Sequence, residues 1–312
     1  AYDIAAINKA IEIAKENKDE APIFYILACR IGPFIHGIKK KIQAIGGTLL
    51  VNPDGHEWLR AKWSAPVRRY WKISEGLMVK HADLLVCDSK NIEKYIQEDY
   101  KQYQPKTTYI AYGTDTTRSI LKSSDEKVRS WFKEKNVSEN EYYLVVGRFV
   151  PENNYESMIR GFLASNSKKD FVLITNVEQN KFYNQLLAKT GFDKDPRVKF
   201  VGTVYDQELL KYIRENAFAY FHGHEVGGTN PSLLEALAST KLNLLLDVGF
   251  NREVGEQSAI YWKKDELSQV IEEVEQFDEK IIDELDRKSN QRIADAFTWE
   301  KIVTDYEKLF IG

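Results

Sequence analysis

Short runs of β-branched and aromatic residues alternate with longer segments of helical periodicity along most of the chain. Such alternation predicts parallel sheets whose strands are joined by crossover helices, and therefore an α/β fold. The strand signals lapse once, near residues 113–125, where glycine, threonine, serine and aspartate accumulate. A chain of 312 residues with one break of this kind is expected to form two domains of the same architecture.

Ten strands are predicted, four before the break and six after it. They are 23–27, 48–51, 84–87, 108–111, 142–146, 171–175, 198–201, 217–221, 243–246 and 259–261. The predicted helices include 67–80, 155–163, 181–189, 207–215, 231–239 and a separate amphipathic helix at 297–310. We expect domains at 1–115 and 116–296, with a closing helix in 297–312 that is able to cross back to the first domain. Because the chain opens in a helical pattern, the first domain is expected to lack its initial strand and loop.

Composition and charge exclude several classes of protein. With 43% hydrophobic and 29% charged residues, the chain is globular rather than disordered. No apolar run approaches the roughly 18 residues that a membrane span requires. The net charge of -3 argues against a nucleic-acid-binding protein that relies on bulk charge. Two cysteines, Cys29 and Cys87, are too few for a disulfide framework, so a reducing, cytoplasmic compartment is expected.

The charge is divided unevenly at the predicted domain boundary. Residues 1–115 carry 17 basic and 14 acidic side chains, whereas residues 116–312 carry 27 and 33. Segment 58–72 holds five basic residues and no acidic one, interleaved with tryptophan and tyrosine. Two interpretations remain open, a solvated helix face over buried tryptophans or a patch that meets a membrane surface. The candidate face comprises Trp58, Arg60, Lys62, Trp63, Arg68 and Arg69.

The most informative motif is HGHEVGGTNPSLLEA at 222–236, between an apolar strand and a helix. Asn230 suits the N-cap, and the proline after it suits the first helical position. The two glycines allow a ligand to approach the backbone, and the helix N-terminus favours an anion. Glu235 lies one turn into the helix, where it is able to accept hydrogen bonds from sugar hydroxyls. Because two histidines and a glutamate crowd beside it, we favour a ligand site over an ordinary strand-to-helix turn.

Two further strand ends carry polar residues. Segment 145–154 reads VVGRFVPENN, so that Arg148 follows a strand at the edge where open α/β sheets bind ligands. An arginine there suits a diphosphate, although a surface arginine is the ordinary alternative. In the first half, Asp54 and His56 follow the strand at 48–51 and are candidates for orienting an acceptor or acting as general bases. A turn in which Asp54 caps the backbone is nearly as good an interpretation.

Several common motifs are missing from the sequence. It contains no G-x-G-x-x-G, P-loop, H-E-x-x-H or G-x-S-x-G motif and no Cys/His spacing typical of zinc. The triplet Asp193-Lys-Asp195 precedes a strand rather than ending one, and is interpreted as a turn. We therefore expect neither a metal nor a bound cofactor.

Taken together, these residues resemble a retaining GT-B glycosyltransferase of family 4, over nearly the whole chain. The second half carries the family's G-R-x-x-P-E-x-N at 147–154 and its late glutamate as Glu235. The likeness is greatest to bacterial rhamnosyltransferases of cell-envelope polysaccharide synthesis, in which segments 52–58, 60–63 and 222–235 recur almost as written here. The fold implied is two Rossmann-like parallel-sheet domains facing a cleft, with the N-terminal domain truncated.

The resemblance implies transfer of L-rhamnose from dTDP-β-L-rhamnose to an undecaprenyl-diphosphate-linked sugar in capsule or cell-wall synthesis, with retention and without a metal. It also implies a cytoplasmic protein held peripherally at the inner face of the membrane by the basic, tryptophan-rich patch. Alternatives are a UDP-hexose donor on the same fold, or a degraded subunit that binds a nucleotide sugar. The implied site comprises Asp54, His56 and Glu225 for catalysis, and Gly147, Arg148, Asn153, His222, Gly227, Gly228, Thr229, Asn230 and Glu235 for the donor.

Three departures from the family pattern bear on activity. The lysine that usually follows Pro-Glu and assists the diphosphate is Asn153 here. The first glutamate of the usual pair, eight positions before Glu235, is Gly227, and Glu225 is the candidate to replace it. The family's glycine-rich first loop is absent from the chain, which raises the alternative of an inactive protein.

Overall fold

The protein folds into two α/β units in a computed structural model that describes residues 2–60 and 62–311. The first unit comprises the residues up to 112 together with 226–229 and 302–311, and the second comprises 113–225 and 230–301. Each unit contains one parallel sheet, so the α/β prediction is confirmed. Three residues that belong to predicted segments lie outside the described residues. They are Ala1 of the predicted first domain, Ala61 of the motif at 60–63, and Gly312 of the predicted closing segment at 297–312.

The first unit has a sheet of four parallel strands in sequential order. Its strands are β1 (Ile23–Leu27), β2 (Thr48–Asn52), β3 (Leu84–Cys87) and β4 (Thr107–Tyr109), and its helices are α1 (Tyr2–Asn17), α2 (Gly32–Gln43), α3 (Ala65–His81) and α4 (Lys90–Asp99). Apolar side chains such as Ile35 and Leu49 are fully buried in the core of this unit. All four predicted strands are confirmed. Strand β4 ends at Tyr109, and the buried residues 110 and 111, which were predicted to belong to it, follow the strand.

Helix α2 begins at Gly32, which lies against α3. The N–H of Gly32 donates to Oγ of Ser74 over 2.8 Å, and a Cβ on Gly32 would lie only 2.5 Å from Ser74 Cα. We expect Gly32→Ala to push the two helices apart and to lower the free energy of unfolding by about 2 kcal/mol. Chemical denaturation measures the loss. The control is Gly37→Ala in the same helix, where a Cβ meets no atom within 4 Å; equal losses in the two variants would contradict the packing argument.

The second unit has a sheet of six parallel strands. The strands are β5 (Tyr142–Val146), β6 (Asp170–Ile174), β7 (Val198–Gly202), β8 (Ala219–His222), β9 (Asn243–Leu246) and β10 (Ile260–Trp262). The helices are α5 (Glu126–Lys135), α6 (Tyr155–Ala164), α7 (Lys181–Thr190), α8 (Gln207–Glu215), α9 (Pro231–Ser239), α10 (Gly249–Gly255), α11 (Leu267–Val274), α12 (Glu279–Ala296) and α13 (Trp299–Ile311), whose last ten residues belong to the first unit. Every predicted strand after the break is confirmed to within two residues.

The order of the strands in this sheet is β10-β9-β8-β5-β6-β7. Counted within the unit, this is the doubly wound order 3-2-1-4-5-6, which reverses between its first and fourth strands, β5 and β8. A crevice forms at the carboxyl ends of strands where the order reverses, because the connections leave in opposite directions. An aromatic core holds these strands in place, with the rings of Tyr143 and Phe221 stacked 5.1 Å apart. The fold therefore brings the loops after β5 and β8 to one place.

Candidate functional site

A cavity of about 260 Å³ lies at the carboxyl ends of β5 and β8, where the strand order reverses. Its walls come from the loop after β5, the loop after β8 and the start of α9. Five of the predicted site residues line it together: Gly147, Arg148, Asn153, His222 and Asn230. The fold thus assembles side chains that are far apart in the sequence.

A second cavity, of about 430 Å³, adjoins the first. The two share Val146, Gly147, Arg148, Pro231 and Ser232. From there the second cavity extends past Thr175 and Asn176 after β6 and residues 203–205 after β7, and it is closed by Glu235 and Arg214. The two cavities form one groove along the edge of the sheet, which we call the sheet-edge groove.

Helix α9 begins in this groove. Asn230 is its N-cap, as predicted, and its side chain accepts a hydrogen bond from the N–H of Ser232 over 2.9 Å. Pro231 occupies the first helical position. The amino end of a helix carries partial positive charge, and the exposed Arg148 lines both cavities beside it. This part of the groove is therefore suited to an anionic group.

Asn153 stands where the resemblance leads one to expect a lysine. Its Nδ2 donates to the carbonyl oxygen of Arg148 over 2.7 Å, and its Oδ1 lies 2.8 Å from Nδ1 of His224. The amide therefore ties the loop after β5 to the loop after β8 and adds no charge. Among the described residues that line the smaller cavity, Arg148 is the only arginine or lysine.

His222 ends strand β8 and is 4% exposed. Its Nε2 is buried and has no hydrogen-bond partner within the described chain. Burial, assisted by neighbouring His224, lowers the pKa of His222 well below 6.5, so the imidazole is neutral at pH 7. A buried polar nitrogen without a partner costs about 1–3 kcal/mol. A ligand that supplies a hydrogen-bonding group at this end of the cavity would offset that cost.

Protonation of His222 couples to unfolding. Because the pKa of His222 is lower in the folded protein than in the unfolded chain, the unfolded chain takes up the proton first as the pH falls. Stability that is present at pH 7 is therefore lost below about pH 6.5, by at most about 1.4 kcal/mol per pH unit. A His222→Phe variant, which keeps the ring, should lose less stability between pH 7 and pH 5. Thermal unfolding at the two pH values measures this, and the same loss in both proteins would refute it.

Glu225 is held by two neighbours. Its carboxylate accepts hydrogen bonds from Nζ of Lys264, at 2.8 and 2.9 Å, and from Nδ2 of Asn154 at 2.8 Å. Partial burial alone would raise the pKa of Glu225, but the bonds from Lys264 and Asn154 outweigh it and lower the pKa. The carboxylate therefore fixes the loop after β8, and it does not line the sheet-edge groove.

Segment 226–229 packs with the first unit. Oγ1 of Thr229 donates to the carbonyl oxygen of Asp88 over 2.5 Å, and a Cβ on Gly228 would overlap the Asp88 carboxyl group. Gly227 has a φ of +127°, which favours glycine. Gly228 and Thr229 thus pack against Asp88 at the end of β3, and the linings of the two cavities include none of the three predicted donor residues of this segment.

In the first unit, Asp54 and His56 lie in an unusual turn after β2. Asp54, Gly55 and His56 all have left-handed φ values, between 54° and 74°, and such strain is often found at functional sites. The N–H of Asp54 donates to Oδ1 of Asn52 over 2.8 Å, so the side chain of Asn52 caps the backbone in this turn. The His56 ring lies 4.1 Å from that of Tyr95. Burial, followed by the charge of Lys72, lowers the pKa of His56, which favours the neutral, basic form of the imidazole.

The basic segment is divided between packing and exposure. Arg60 is buried, and its guanidinium lies 2.5 Å from the carboxylate of Glu57, to which Lys62 also pairs at 3.1 Å. Lys72 lies 4.6 Å over the Trp58 ring. The indole of Trp63 donates to Glu57 over 2.9 Å. The charges presented at the surface are those of Lys62, Arg68 and Arg69, close in sequence to the exposed apolar residues Leu59, Tyr70 and Ile73.

Sequence reasoning missed Arg214, which closes the larger cavity. It stands on α8, four residues after the buried Leu210, so that an arginine occupies the apolar face of an amphipathic helix. That placement is the signal that could have singled it out. Its Nη2 lies 2.5 Å from Oε2 of Glu235 on α9.

The described residues offer neither a metal-binding cluster nor a membrane-spanning helix. No group of three or more His, Cys, Asp and Glu side chains in that part of the chain is arranged to hold a metal ion. Asp193 lies in a short 3-10 turn, and Asp195 pairs with Arg197 at 2.7 Å, which confirms the turn predicted there. Within the same residues, no helix is both long enough and apolar enough to span a membrane.

Comparison with known proteins gives one family match and many structural ones. Residues 1–115 match a family described as a domain of unknown function (DUF1972), and no curated protein matches the sequence. Sucrose-phosphate synthase from Thermosynechococcus elongatus superimposes with a TM-score of 0.76 at 16% identity, over 97% of this chain and 77% of that one. The α,α-trehalose-phosphate synthase from Burkholderia xenovorans, in complex with glucose-6-phosphate, gives 0.77 at 10% identity, over 99% and 78%.

A third solved structure, HepE from Anabaena in complex with UDP-glucose, gives a TM-score of 0.72 at 15% identity, over 97% of this chain and 81% of that one. All three are GT-B glycosyltransferases. The chain has the GT-B fold. This confirms the predicted fold class, and at these identities the likeness is one of architecture.

Proposed function

We propose that the protein is a glycosyltransferase that binds a nucleotide sugar in the sheet-edge groove. The observation that carries the proposal is the groove itself, which joins an anion-binding end, at Arg148 and the start of α9, to a larger cavity closed by Glu235. A diphosphate fits the first part, and a nucleoside fits the second. The structural neighbours support this assignment, since one is described as UDP-forming and another was solved with UDP-glucose.

We propose dTDP-β-L-rhamnose as the donor. The support is the resemblance of segments 52–58, 60–63 and 222–235 to bacterial rhamnosyltransferases. The buried, neutral His222 then faces the hydroxyls of the deoxysugar, which are able to donate to or accept from its unpaired Nε2. A UDP-hexose donor is the second candidate, and the complex of HepE with UDP-glucose favours it.

The transfer proposed is retaining and needs no metal. The bond between the sugar C1 and the phosphate oxygen breaks, a bond from C1 to the acceptor oxygen forms on the same face, and the acceptor proton passes to the leaving diphosphate. Arg148 and the N–H groups at the start of α9 stabilise the charge that develops on that diphosphate. Asp54 and His56 orient the acceptor hydroxyl, so that the protein contributes mainly positioning and electrostatics.

A donor panel tests the proposed function. Full-length protein is incubated with dTDP-rhamnose, UDP-glucose or UDP-N-acetylglucosamine and with undecaprenyl-diphosphate-linked glucose or N-acetylglucosamine. Release of dTDP with a lengthened glycan is the expected result. Turnover with a UDP-hexose alone would establish the second candidate. Nucleotide binding without turnover on any acceptor would indicate a degraded subunit, for which Asn153 and Gly227 are the motivating substitutions.

The acceptor proposed is a lipid diphosphate, reached from the inner surface of the cell membrane. We call the exposed residues Arg68, Arg69, Tyr70 and Ile73 of α3, together with Lys62 just before the helix, the α3 face. Tyr70 is 42% and Ile73 52% exposed, one helical turn apart on α3, beside the two arginines. Cations that attract anionic headgroups and apolar side chains that enter the boundary are the two components of interfacial binding.

Replacement of Arg68 and Arg69 by glutamine should therefore weaken vesicle binding. At about 1 kcal/mol for each basic residue near an anionic surface, the double variant should bind roughly 30-fold less tightly to vesicles containing phosphatidylglycerol. Flotation with such vesicles and with neutral ones measures the effect. The matched control replaces the exposed Arg129 and Lys133 on α5 of the second unit. Equal binding to neutral and anionic vesicles would rule out an electrostatic membrane face.

A further inference from the structure

The ion pair between Arg214 and Glu235 is unusual in its burial. Arg214 is 3% exposed, whereas the Glu235 side chain is 43% exposed and lines both the sheet-edge groove and a further cavity, which Lys211 and Trp299 also line. Nη2 of Arg214 lies 2.5 Å from Oε2 of Glu235. A buried guanidinium without this carboxylate would be strongly destabilising, because its charge would have no counterion. The pair is therefore fixed, and the arginine determines how the glutamate is presented.

The two carboxylate oxygens of Glu235 are not equivalent. Oε2 is engaged by Arg214, and Oε1 accepts no hydrogen bond from the described part of the protein. Nε of Arg214 is itself buried and has no partner among the described residues. The side of the groove closed by this pair thus offers one free acceptor oxygen and one unsatisfied donor, which point to a polar ligand group that binds here.

We infer that Arg214 is a positioning residue that adapts the groove to a 2′-deoxynucleoside diphosphate. This rests on the proposed function, and it goes beyond it by naming the residue that makes the groove select the sugar of the nucleotide. The 3′-hydroxyl of a deoxyribose donates to Oε1, and the single ring oxygen of the same sugar is an acceptor for Nε of Arg214. A ribose brings a second, adjacent hydroxyl, whose natural acceptor is the other carboxylate oxygen. Since Nη2 of Arg214 already takes one acceptor site of that oxygen, the 2′-hydroxyl is less well satisfied than the 3′-hydroxyl, and such a mismatch lowers affinity.

The test compares two nucleotides that differ in one hydroxyl. Calorimetric titration is carried out with dTDP and with 5-methyluridine diphosphate, which share the base and the diphosphate. The unsubstituted protein is expected to bind dTDP about ten-fold more tightly, the discrimination of a single unsatisfied hydroxyl group. In Arg214→Met the ratio should fall toward one, because both carboxylate oxygens become available. Arg214→Lys, which keeps a cation beside Oε2, should retain most of the preference.

Controls separate this role from a general loss of structure. Arg197→Met removes a partly buried arginine from an ion pair just before β7. Arg197 lies at the amino-terminal ends of the strands, whereas the groove lies at their carboxyl ends, so the ratio of the two nucleotide affinities should be unchanged. Thermal unfolding shows whether Arg214→Met folds. If the variant does not fold, the ratio of the two affinities in the unsubstituted protein decides the inference by itself. Equal affinity of the unsubstituted protein for both nucleotides, or an unchanged preference in a folded Arg214→Met, would overturn the inference while leaving the proposed function intact. Failure to bind dTDP, UDP or 5-methyluridine diphosphate at all would overturn both.

Discussion

Arg148→Ala is expected to weaken the binding of a nucleoside diphosphate by about 10- to 100-fold and to lower turnover at least ten-fold. Arg148 is the one arginine or lysine among the described residues that line the smaller cavity, and Asn153 beside it adds no charge. Charge-assisted bonds to a phosphate contribute about 1.5–3 kcal/mol, and the neutral amide of Asn153 does not replace them. Calorimetry measures the affinity, and steady-state kinetics with the preferred donor measures the turnover.

The matched control for this substitution is Arg160→Ala. Arg160 is an exposed arginine on α6 of the same unit, paired with Glu156 at 3.2 Å and absent from the groove lining. Its loss should leave nucleotide affinity unchanged. If Arg148→Ala behaves as Arg160→Ala does, the diphosphate does not bind at Arg148.

Gly223→Ala is expected to reduce transfer by about 100-fold or more. Gly223 follows β8, and a Cβ on it would overlap the carbonyl oxygen of Asn153 and lie 3.1 Å from Sδ of Met158. The backbone of the loop after β5 must then move, and with it the Asn153 amide that holds Arg148 and His224. Displacement of a catalytic loop by about 1 Å is enough for an effect of this size. Both the turnover and the free energy of unfolding should fall.

The kinetic measurement is compared with Gly37→Ala, which adds the same methyl group to a helix of the first unit where there is space. That variant should keep full turnover. A Gly223→Ala protein with unaltered kinetics would show that the close contact between the two loops is not needed for the reaction.

Much of the fold could be predicted because buried parallel strands are short apolar runs between turn residues. Strand β5 is an example of such a run. It is five residues long, and four of them, Tyr142, Tyr143, Leu144 and Val145, are buried. The segments 226–229 and 302–311 are different. Both pack with the first unit. Segment 226–229 lies within the second unit in sequence, and no break was predicted there, whereas the boundary predicted at 296/297 set 302–311 apart in a closing helix able to cross back. Such long-range packing depends on shape complementarity that has no periodic signature.

The candidate site was predictable where a residue ends a strand or caps a helix. Arg148, His222 and Asn230 meet in one cavity because the strand order reverses there. The role of Arg214 could not be read from spacing, since its partner Glu235 lies on another helix. The roles of Asp54, His56 and the α3 face remain predictions, because they depend on the acceptor rather than on the fold.

The discontinuity of the first unit sets an order of events during synthesis. The last of its four described strands ends at residue 109, yet the Tyr25 hydroxyl lies 3.1 Å from that of Tyr306, and Phe310 packs on the same ring. At 5–20 residues per second, a ribosome needs roughly 10–40 s to make the chain between these elements. A nascent first unit therefore waits with one aromatic surface uncovered while the second unit folds. Chaperone dependence during translation should accordingly be greater than the refolding of the finished chain would indicate.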